Sequence, residues 1–356
     1  MIARPGFQAW ASRFPLTRRR ARRDGAELFD LVQGFVKSQV LMAIVEIGIL
    51  PRLMDGPMTA NRLASSCGIP PDRMAILLQA GAAMGVLRRS ADGRFGLARK
   101  GAAIMGVPGL DAMIRHHRAF YADLADPVAL LRGPERTELS EFWPYVFGAK
   151  GAVDPETAAT YSDLMTQSQV LVAQDTLRAV RLDSVEHLLD VGGGQGAFLS
   201  AVGQAYPGLH LTLFDLPAVV RSARSRFVAE GLSDRTDVHA GSFRDDPLPR
   251  GADAISLIRV LYDHADETVL ALMSKVFDTL PPGGRLVVSE PMGGGERPDL
   301  SGDVYFAFYT LAMQTGRARS PQEIANLCAK TGFTDINSPK PSRPFVTRVL
   351  TARKPT

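Results

Sequence analysis

A glycine-rich segment is the clearest sign of chemistry in this sequence. Residues 190–196 read Asp-Val-Gly-Gly-Gly-Gln-Gly, at the end of an apolar run. Glycines at a strand-to-helix junction let the backbone turn sharply and let a ligand approach the main chain. The spacing of Gly192, Gly194 and Gly196 is Gly-x-Gly-x-Gly, which differs from the Gly-x-Gly-x-x-Gly of dinucleotide sites. Alone, the turn is weak evidence, because tight packing of a helix on a strand selects the same residues.

Asp215 adds a second feature to this turn. It ends the next predicted strand, 25 residues after Asp190, and is followed by Leu216 and Pro217. A carboxylate at that place can accept hydrogen bonds from both hydroxyls of a ribose. The alternative is that Asp215 caps the helix that begins at Pro217. At the switch point of a sheet, the glycine turn and Asp215 would lie beside one crevice.

Alternating strands and helices must position these residues. Helices are predicted after residue 197 and over residues 268–280, between strands at 187–191, 209–214, 253–260 and 284–290. This alternation predicts an α/β fold with a doubly wound, Rossmann-like parallel sheet in residues 181–356. Residues 111–180 read as a helical connector that lines a pocket.

The N-terminal part has a different pattern. Residues 26–110 predict helices, then a helix that Thr59 caps, a second helix and a hairpin at 86–97, which together form a winged-helix module. Such a module can place a helix in the major groove of DNA, but its second helix offers few basic or amide side chains beyond Arg73 and Gln79. We therefore predict a dimerisation domain and no nucleic-acid partner.

Composition excludes several classes of protein. The 356 residues suggest two domains, and no apolar run approaches the roughly 20 residues that cross a bilayer. Two distant cysteines indicate neither a disulfide framework nor a metal site, so a cytoplasmic location is predicted. The net charge is +4, and six arginines crowd into residues 13–23. Residues 1–25 are predicted to be a basic, flexible tail, or else an arm that contacts anionic lipid at the inner or photosynthetic membrane.

These motifs resemble the S-adenosylmethionine (SAM)-dependent O-methyltransferases of the plant and bacterial small-molecule type, from about residue 28 to residue 350. That family joins a winged-helix dimerisation domain to a Rossmann-like catalytic domain, so the resemblance implies a class I methyltransferase fold and a homodimer. A narrower similarity is to the carotenoid hydroxyl methyltransferases of purple bacteria, of the demethylspheroidene or hydroxyneurosporene type. It is carried by residues 28–41, 123–133, 142–146, 192–196, 214–219, 259–266, 290–292 and 302–320.

The resemblance implies a cofactor site for SAM, with S-adenosylhomocysteine (SAH) as product. The residues implied are Asp190, Gly192, Gly194, Gly196, Asp215, Leu216, Ser242, Phe243 and Arg259. Phe243 would lie against the adenine, and Arg259 stands where the family usually has a lysine. Ser242 stands where the family usually has an aspartate, so the contact with the adenine there loses its charge.

The catalytic residues depart from the family pattern. Plant-type relatives have a histidine base in Leu-His-Asp-Trp, whereas residues 261–264 read Leu-Tyr-Asp-His. Tyr262 thus takes the position of the base, and His264 lies two residues further on. Glu290 matches one of the two carboxylates that orient the base, and Ala318 replaces the other. Tyr262, His264 and Glu290 are the predicted catalytic residues.

An aliphatic alcohol as acceptor suits the missing base, because imidazole cannot deprotonate an alcohol in advance. Transfer then relies on alignment of the oxygen with the sulfonium methyl in a dry pocket. Tyr262 can hydrogen-bond the hydroxyl, and His264 or Glu290 can collect the proton. His116 and His117 are further candidates, although a histidine pair on a charged helix face is usually solvated.

The segment at residues 305–313 predicts an apolar wall for a long polyene, with helical core as the alternative for each residue. The predicted substrate-binding residues are His117, Tyr305, Phe306, Tyr309 and Met313. The sequence therefore predicts a SAM-dependent O-methyltransferase that acts on the tertiary hydroxyl of an acyclic carotenoid, in carotenoid biosynthesis. The alternatives are a methyltransferase of the same fold with another acceptor, such as a bacteriochlorophyll-type tetrapyrrole, and a winged-helix regulator.

Overall fold

The computed structural model describes residues 3–133, 136–142 and 155–356, and the side chains of these except residues 142 and 155–166. The chain forms two compact units, Met1–Arg115 and His116–Thr356. Most of the predicted connector at 111–180 thus belongs to the second unit. Of the similarity at residues 142–146, all but residue 142 lies outside the described residues.

The first unit is helical with one small hairpin. Its elements are α1 (Pro5–Arg13), α2 (Arg18–Val32), α3 (Gly34–Glu46), α4 (Ile49–Arg52), α5 (Ala60–Cys67), α6 (Pro71–Ala83), β1 (Leu87–Arg89), β2 (Phe95–Leu97) and α7 (Arg99–Gly106). Helices α5 and α6 with the antiparallel pair β1–β2 form the predicted winged-helix arrangement. Thr59 caps α5, since its hydroxyl accepts a hydrogen bond from the backbone N–H of Arg62 at 3.3 Å.

Most of the described residues of the basic N-terminal segment lie in the helices α1 and α2, where the sequence predicted a flexible tail. Arginine, alanine and leucine favour helix, and Arg20–Asp24 and Arg23–Glu27 add ion pairs between successive turns of α2. In α1 the ring of Trp10 stacks on that of Phe14, with centroids 4.8 Å apart.

Helices α2 and α3 carry many exposed apolar side chains. These are Leu28, Phe29, Leu31, Val32, Phe35 and Val36. Within the described part of the chain, no single helix has both the length and the apolar character needed to cross a membrane. Taken together, α2 and α3 have that length and apolar composition, but they are bent by 50° relative to each other.

The second unit alternates strands and helices after a helical start. Its helices are α8 (Leu110–Asp123, which begins in the first unit), α9 (Pro127–Leu131), α10 (Glu138–Phe142), α11 (Pro155–Ala179), α12 (Ala197–Ala205), α13 (Pro217–Ala229), α14 (Asp266–Thr279), α15 (Ala307–Ala312) and α16 (Pro321–Lys330). Its strands are β3 (His187–Val191), β4 (His210–Asp215), β5 (Thr236–Ala240), β6 (Ala254–Ile258), β7 (Arg285–Glu290), β8 (Thr334–Asn337) and β9 (Arg348–Arg353). Two 3₁₀ turns, Ser233–Arg235 and Leu261–Asp263, and one π-helical segment, Leu300–Phe306, complete it.

The seven strands form one sheet in the order β5-β4-β3-β6-β7-β9-β8. Strands β3 to β7 are parallel, which confirms the predicted doubly wound α/β fold, whereas β9 runs antiparallel to β7 and to β8. From β3 the chain builds the sheet outward through β4 and β5, then returns to place β6 on the other side of β3. The switch point therefore lies between β3 and β6, and ligands of such sheets bind beyond the carboxyl ends of these strands.

Candidate functional site

The glycine turn follows β3 at the switch point. Gly192, Gly194 and Gly196 all have positive φ angles, of 71°, 60° and 77°, a region that favours glycine. A Cβ atom at Gly196 would lie 2.4 Å from the ring of Phe227, so that glycine is also required by packing. A Cβ atom at Gly194 would have no atom within 4 Å, so this part of the turn faces open space.

Asp215, at the carboxyl end of β4, is tied to the glycine turn. One carboxylate oxygen accepts a hydrogen bond from the N–H of Gly194 at 2.7 Å, and the other accepts one from the N–H of Leu216 at 2.6 Å. The residue before α13 is Leu216, so Asp215 does not occupy the N-cap position. Burial raises the pKa of Asp215. A half-buried carboxylate beside the open face of the turn can bind a ligand's hydroxyl groups.

Asp190 lies beneath the same turn, completely buried at the end of β3. The hydroxyl of Ser256 on β6 donates to Oδ1 at 2.6 Å, whereas Oδ2 has no partner. Burial raises the pKa of Asp190 to about 7. An unpaired buried oxygen is costly, so it marks a place where a bound polar group would be stabilising.

The loop after β5 carries the next two predicted cofactor residues. The hydroxyl oxygen of Ser242 accepts a hydrogen bond from the N–H of Arg244 at 3.2 Å. Phe243 packs edge-to-face on His264, with ring centroids 5.2 Å apart. Lys275 of α14 donates to three carbonyl oxygens of this loop at 2.8 to 3.0 Å, which fixes its shape. Sequence reasoning missed this lysine.

Arg259 follows β6 in a left-handed conformation, with φ of 58°. Its N–H donates to the carbonyl of Ser289 on β7 at 2.8 Å. Its guanidinium donates to the hydroxyl oxygens of Ser168 at 2.8 Å and Tyr262 at 3.2 Å. Left-handed backbone is strained for a residue with a side chain and recurs at functional sites. This conformation ends β6 at Ile258, two residues before the predicted end of the strand.

The 3₁₀ turn at Leu261–Asp263 holds the predicted catalytic residues, and two buried side chains clamp it. Glu290 Oε2 accepts hydrogen bonds from the N–H groups of Leu261 at 2.9 Å and Tyr262 at 3.2 Å. Arg319, whose side chain is completely buried, donates to the carbonyl oxygens of Leu261 at 2.7 Å and His264 at 2.9 Å. Sequence reasoning missed Arg319, which is next to the position of the missing second carboxylate.

The structure brings the three predicted catalytic residues together, each engaged by neighbours. Tyr262 is almost fully buried, and burial raises its pKa above the usual value. Arg244 Nη2 donates to Nδ1 of His264 at 3.2 Å. Burial, with the charges of Arg244 and Arg319, lowers the pKa of His264 to about 4. His264 is therefore neutral and a weak base. Glu290, by contrast, supports the backbone of the turn through its two N–H contacts.

Burial raises the pKa of Glu290 to about 8, from an ordinary value of 4.5. Between these values the folded chain holds a proton that the unfolded chain lacks, so stability falls as pH rises. We expect Glu290→Gln, which keeps the acceptor oxygen and mimics the protonated acid, to remove up to about 1.4 kcal/mol per pH unit from this slope. Urea unfolding between pH 5 and pH 8 measures it. Equal slopes in both proteins would contradict a protonated Glu290.

Tyr305 and Phe306 are the last residues of the π-helical segment. Tyr309 lies in α15, and Met313 directly follows that helix. Asp299 caps the segment by accepting from the N–H groups of Ser301 and Gly302, at 3.0 and 2.8 Å. Short π-helical segments are rare and frequent at functional sites. Met313 is fully buried, and Tyr309 nearly so, in a cluster with Phe120, Leu130, Leu139 and Ala312, which favours the helical-core interpretation for these two residues.

The other predicted substrate residues lie at a partly open edge of that cluster. Tyr305, Phe306 and His117 are all half-buried. His117 Nε2 and the Tyr305 hydroxyl are 2.6 Å apart, and the rings of Tyr305 and Phe306 meet edge-on at 4.9 Å. The ring of Phe306 lies 6.5 Å from that of Tyr262. The structure thus places this aromatic wall next to the clamped turn.

Comparison with known proteins identifies the family and the fold. The O-methyltransferase domain model matches residues 121–334, and the O-methyltransferase dimerisation domain model matches residues 29–103. The demethylspheroidene O-methyltransferase of Cereibacter sphaeroides is 56% identical over 98% of this chain and 92% of its own length. The Rhodobacter capsulatus protein of the same name is 52% identical over 96% of this chain and 85% of its own.

Solved structures agree with these relatives. A methyltransferase of calicheamicin biosynthesis with SAH bound has a TM-score of 0.78 and 28% identity, over 94% of this chain and 98% of its own. Mitomycin 7-O-methyltransferase has a TM-score of 0.78 and 26% identity, over 94% of this chain and 99% of its own. The orphaned oxygen of Asp190, the open face at Gly194 and the carboxylate of Asp215 suit a nucleoside with ribose hydroxyls and a polar tail. The chain therefore belongs to the O-methyltransferase family, with a class I methyltransferase fold, an N-terminal dimerisation domain and SAM as methyl donor.

Proposed function

We propose that this protein methylates the tertiary hydroxyl of an acyclic carotenoid of the demethylspheroidene type. The observation that carries this proposal is 56% identity, over 98% of the chain, to a protein named for that reaction. The half-buried aromatic wall at Tyr305 and Phe306 supports it, because a polyene needs an apolar surface. The absence of a histidine at position 262 supports it as well, because an imidazole there could not deprotonate an alcohol before methyl transfer.

In this proposal the chain's own residues hold the cofactor and exclude water. Asp215 accepts hydrogen bonds from the ribose hydroxyls, and the turn at Gly192, Gly194 and Gly196 allows close approach of the backbone. Phe243 covers the adenine, with Leu216 and Ser242 beside it. Asp190 supports the turn from below. When bound, SAM supplies a methyl group on a positively charged sulfur.

The clamped turn and the wall then align the acceptor. Arg259 holds the turn on this side, since its guanidinium donates to the hydroxyl oxygen of Tyr262. Glu290 holds the turn through its N–H groups, and Tyr262 and His264 line the acceptor side of the site. Alignment in a dry pocket supplies most of the acceleration for an alcohol.

Two glycines of the cofactor turn give a paired prediction. Gly196→Ala forces a methyl group into the ring of Phe227 at a positive φ angle, so we expect a loss of about 2–4 kcal/mol of unfolding free energy. Gly194→Ala meets no protein atom, so it costs about 1 kcal/mol but places its methyl group in the space for the cofactor. Urea unfolding and calorimetric titration with SAH separate the two effects. Equal stabilities with unchanged SAH affinity would contradict this assignment.

The substrate is tested with purified protein, labelled SAM and liposomes that carry a 1-hydroxy acyclic carotenoid. We expect a product heavier by one methyl group by mass spectrometry, and none from the carotenoid whose tertiary alcohol has been dehydrated. Parallel incubations contain a bacteriochlorophyll-type tetrapyrrole and a simple phenol. Transfer to either of these, with none to the carotenoid, would overturn the proposal.

We also propose a homodimer formed through the dimerisation domain. The exposed apolar side chains at residues 28–36 overlap the matched dimerisation domain, and a contiguous patch of this kind usually marks an interface. Light scattering coupled to gel filtration should give twice the chain mass. A monomer for the wild type would refute the dimer, and Phe35→Glu should shift the equilibrium toward monomer.

We further propose that α1 and the start of α2 contact an anionic membrane from its cytoplasmic side. Arginines crowd this segment, and Trp10, Phe14 and Leu16 are exposed among them. Basic residues with interfacial aromatics favour anionic lipid surfaces. Co-sedimentation with phosphatidylglycerol vesicles should exceed that with phosphatidylcholine vesicles, and salt should weaken it. Equal binding to both would refute the contact.

A further inference from the structure

Two adjacent histidines of α8 are each paired with a tyrosine of the segment at residues 305–309. His116 Nε2 and the Tyr309 hydroxyl are 2.7 Å apart, and His117 Nε2 and the Tyr305 hydroxyl are 2.6 Å apart. The sequence suggested that a histidine pair here would be solvated, but burial lowers the pKa of both. The two pairs have the same chemistry, so their surroundings must decide what each one does.

The surroundings of the two pairs differ. Tyr309 is 5% exposed and enclosed by Phe120, Leu130 and other apolar side chains, so the tyrosine of this pair belongs to the core, whereas His116 is half-buried. Tyr305 and His117 are half-buried, and the charge of Arg259 acts on Tyr305. Tyr305 also contacts Phe306, whose ring lies 6.5 Å from that of Tyr262, so the Tyr305 pair adjoins the clamped turn through this ring.

The predicted proton acceptors are already engaged. The oxygen of Tyr262 takes a hydrogen bond from Arg259, and Nδ1 of His264 takes one from Arg244. Two arginines act on His264 and oppose a positive charge on its ring. Glu290 is completely buried: Oε2 holds two backbone N–H groups, and Oε1, which has no hydrogen-bond partner, is not exposed. Burial raises the pKa of Glu290 to about 8, so at neutral pH it already carries a proton, while Tyr262 and His264 would each give up a contact that shapes the turn.

We propose that the pair of Tyr305 and His117 takes the proton of the acceptor hydroxyl during methyl transfer. The acceptor hydroxyl donates to the Tyr305 oxygen, and Tyr305 donates to Nε2 of His117. As the new O–C bond forms, the C–S bond breaks and its electron pair stays on sulfur. The hydroxyl proton passes to Tyr305 while the proton of Tyr305 passes to His117. The products are a methyl ether, S-adenosylhomocysteine, neutral tyrosine and imidazolium.

The direction of this transfer follows from acidity. An ether oxygen that carries both a methyl group and a proton is a far stronger acid than imidazolium, so even a histidine of low pKa accepts the proton. Burial keeps His117 neutral near pH 7, and a neutral ring can accept. His117 acts through Tyr305 and is a positioning residue, whereas Tyr305 touches the acceptor.

The test compares His117→Gln and Tyr305→Phe with the matched control His116→Gln. This inference rests on the proposed alcohol acceptor, so the wild type is first shown to methylate it. We expect kcat to fall about 100-fold in both test variants, as for loss of acid–base assistance, with KM changed less than about 3-fold. We expect His116→Gln to lose less than about 3-fold in kcat.

Two further measurements separate catalysis from folding. The absorption spectrum of carotenoid bound to the SAH complex should be the same in His117→Gln and wild type, and both should have the same SAH affinity. Added imidazole should restore part of the kcat of His117→Ala, which a purely structural role would not allow. Equal kcat losses in His116→Gln and His117→Gln, or no loss in either, would overturn the inference. If the wild type methylates only another acceptor, the proposed substrate fails, and the same comparison with that acceptor still decides the relay.

Discussion

Replacing Asp215 with alanine is expected to weaken SAM binding by more than about 100-fold. In the proposed site its carboxylate accepts two hydrogen bonds from ribose hydroxyls, and bonds to a charged group contribute about 1.5–3 kcal/mol each. A loss of about 3 kcal/mol corresponds to slightly more than 100-fold in the dissociation constant. Isothermal titration with SAM and with SAH measures the loss directly.

The same substitution also removes the acceptor of the Gly194 and Leu216 N–H groups. A thermal unfolding curve therefore accompanies each titration, so that a loosened turn is not mistaken for a lost ligand contact. Asp237→Ala is the matched control, since it removes the same charge from an exposed side chain on the neighbouring strand β5. An Asp215→Ala protein that binds SAM within about 5-fold of wild type would refute the ribose contact.

Arg319→Met is expected to cost about 3 kcal/mol of unfolding free energy and most of the activity. The buried guanidinium satisfies the carbonyl oxygens of Leu261 and His264, and each buried acceptor left unpaired costs about 1–3 kcal/mol. Methionine fills much of the space but donates no hydrogen bond. Because the turn carries Tyr262, its release should disturb the acceptor side of the site.

Arg317→Met provides the control for this substitution. Arg317 and Arg319 both bind Asp266, but the side chain of Arg317 is 46% exposed, and exposed ion pairs contribute about 0–1 kcal/mol. Urea unfolding should therefore separate the two variants by about 2 kcal/mol or more. Equal losses in both would show that the carbonyl contacts of Arg319 do not stabilise the turn.

The sequence alone determined the cofactor half of the protein. The turn at residues 192–196 could be predicted because a positive φ angle is a local property, and glycines at this spacing indicate it. Four of the five parallel strands appear as apolar runs for the same local reason. The edge strand β5 was missed because three of its five residues are exposed and it has no apolar alternation.

The antiparallel strands β8 and β9 depend on long-range pairing, so the local pattern did not reveal them. In the basic N-terminal segment, the clustered charge suggested a tail, whereas the residue types favour the helix that the structure describes there.

Only the tertiary structure decided which side chains shape the acceptor side. Arg317 and Arg319 are alike in sequence, yet one is half-exposed and the other is completely buried against the turn of residues 261–264. His116 and His117 are adjacent and identical, and they differ because only one is paired with a tyrosine at an open edge. The burial and partners of these residues come from contacts between segments more than 50 residues apart, and neither residue type nor local spacing records such contacts.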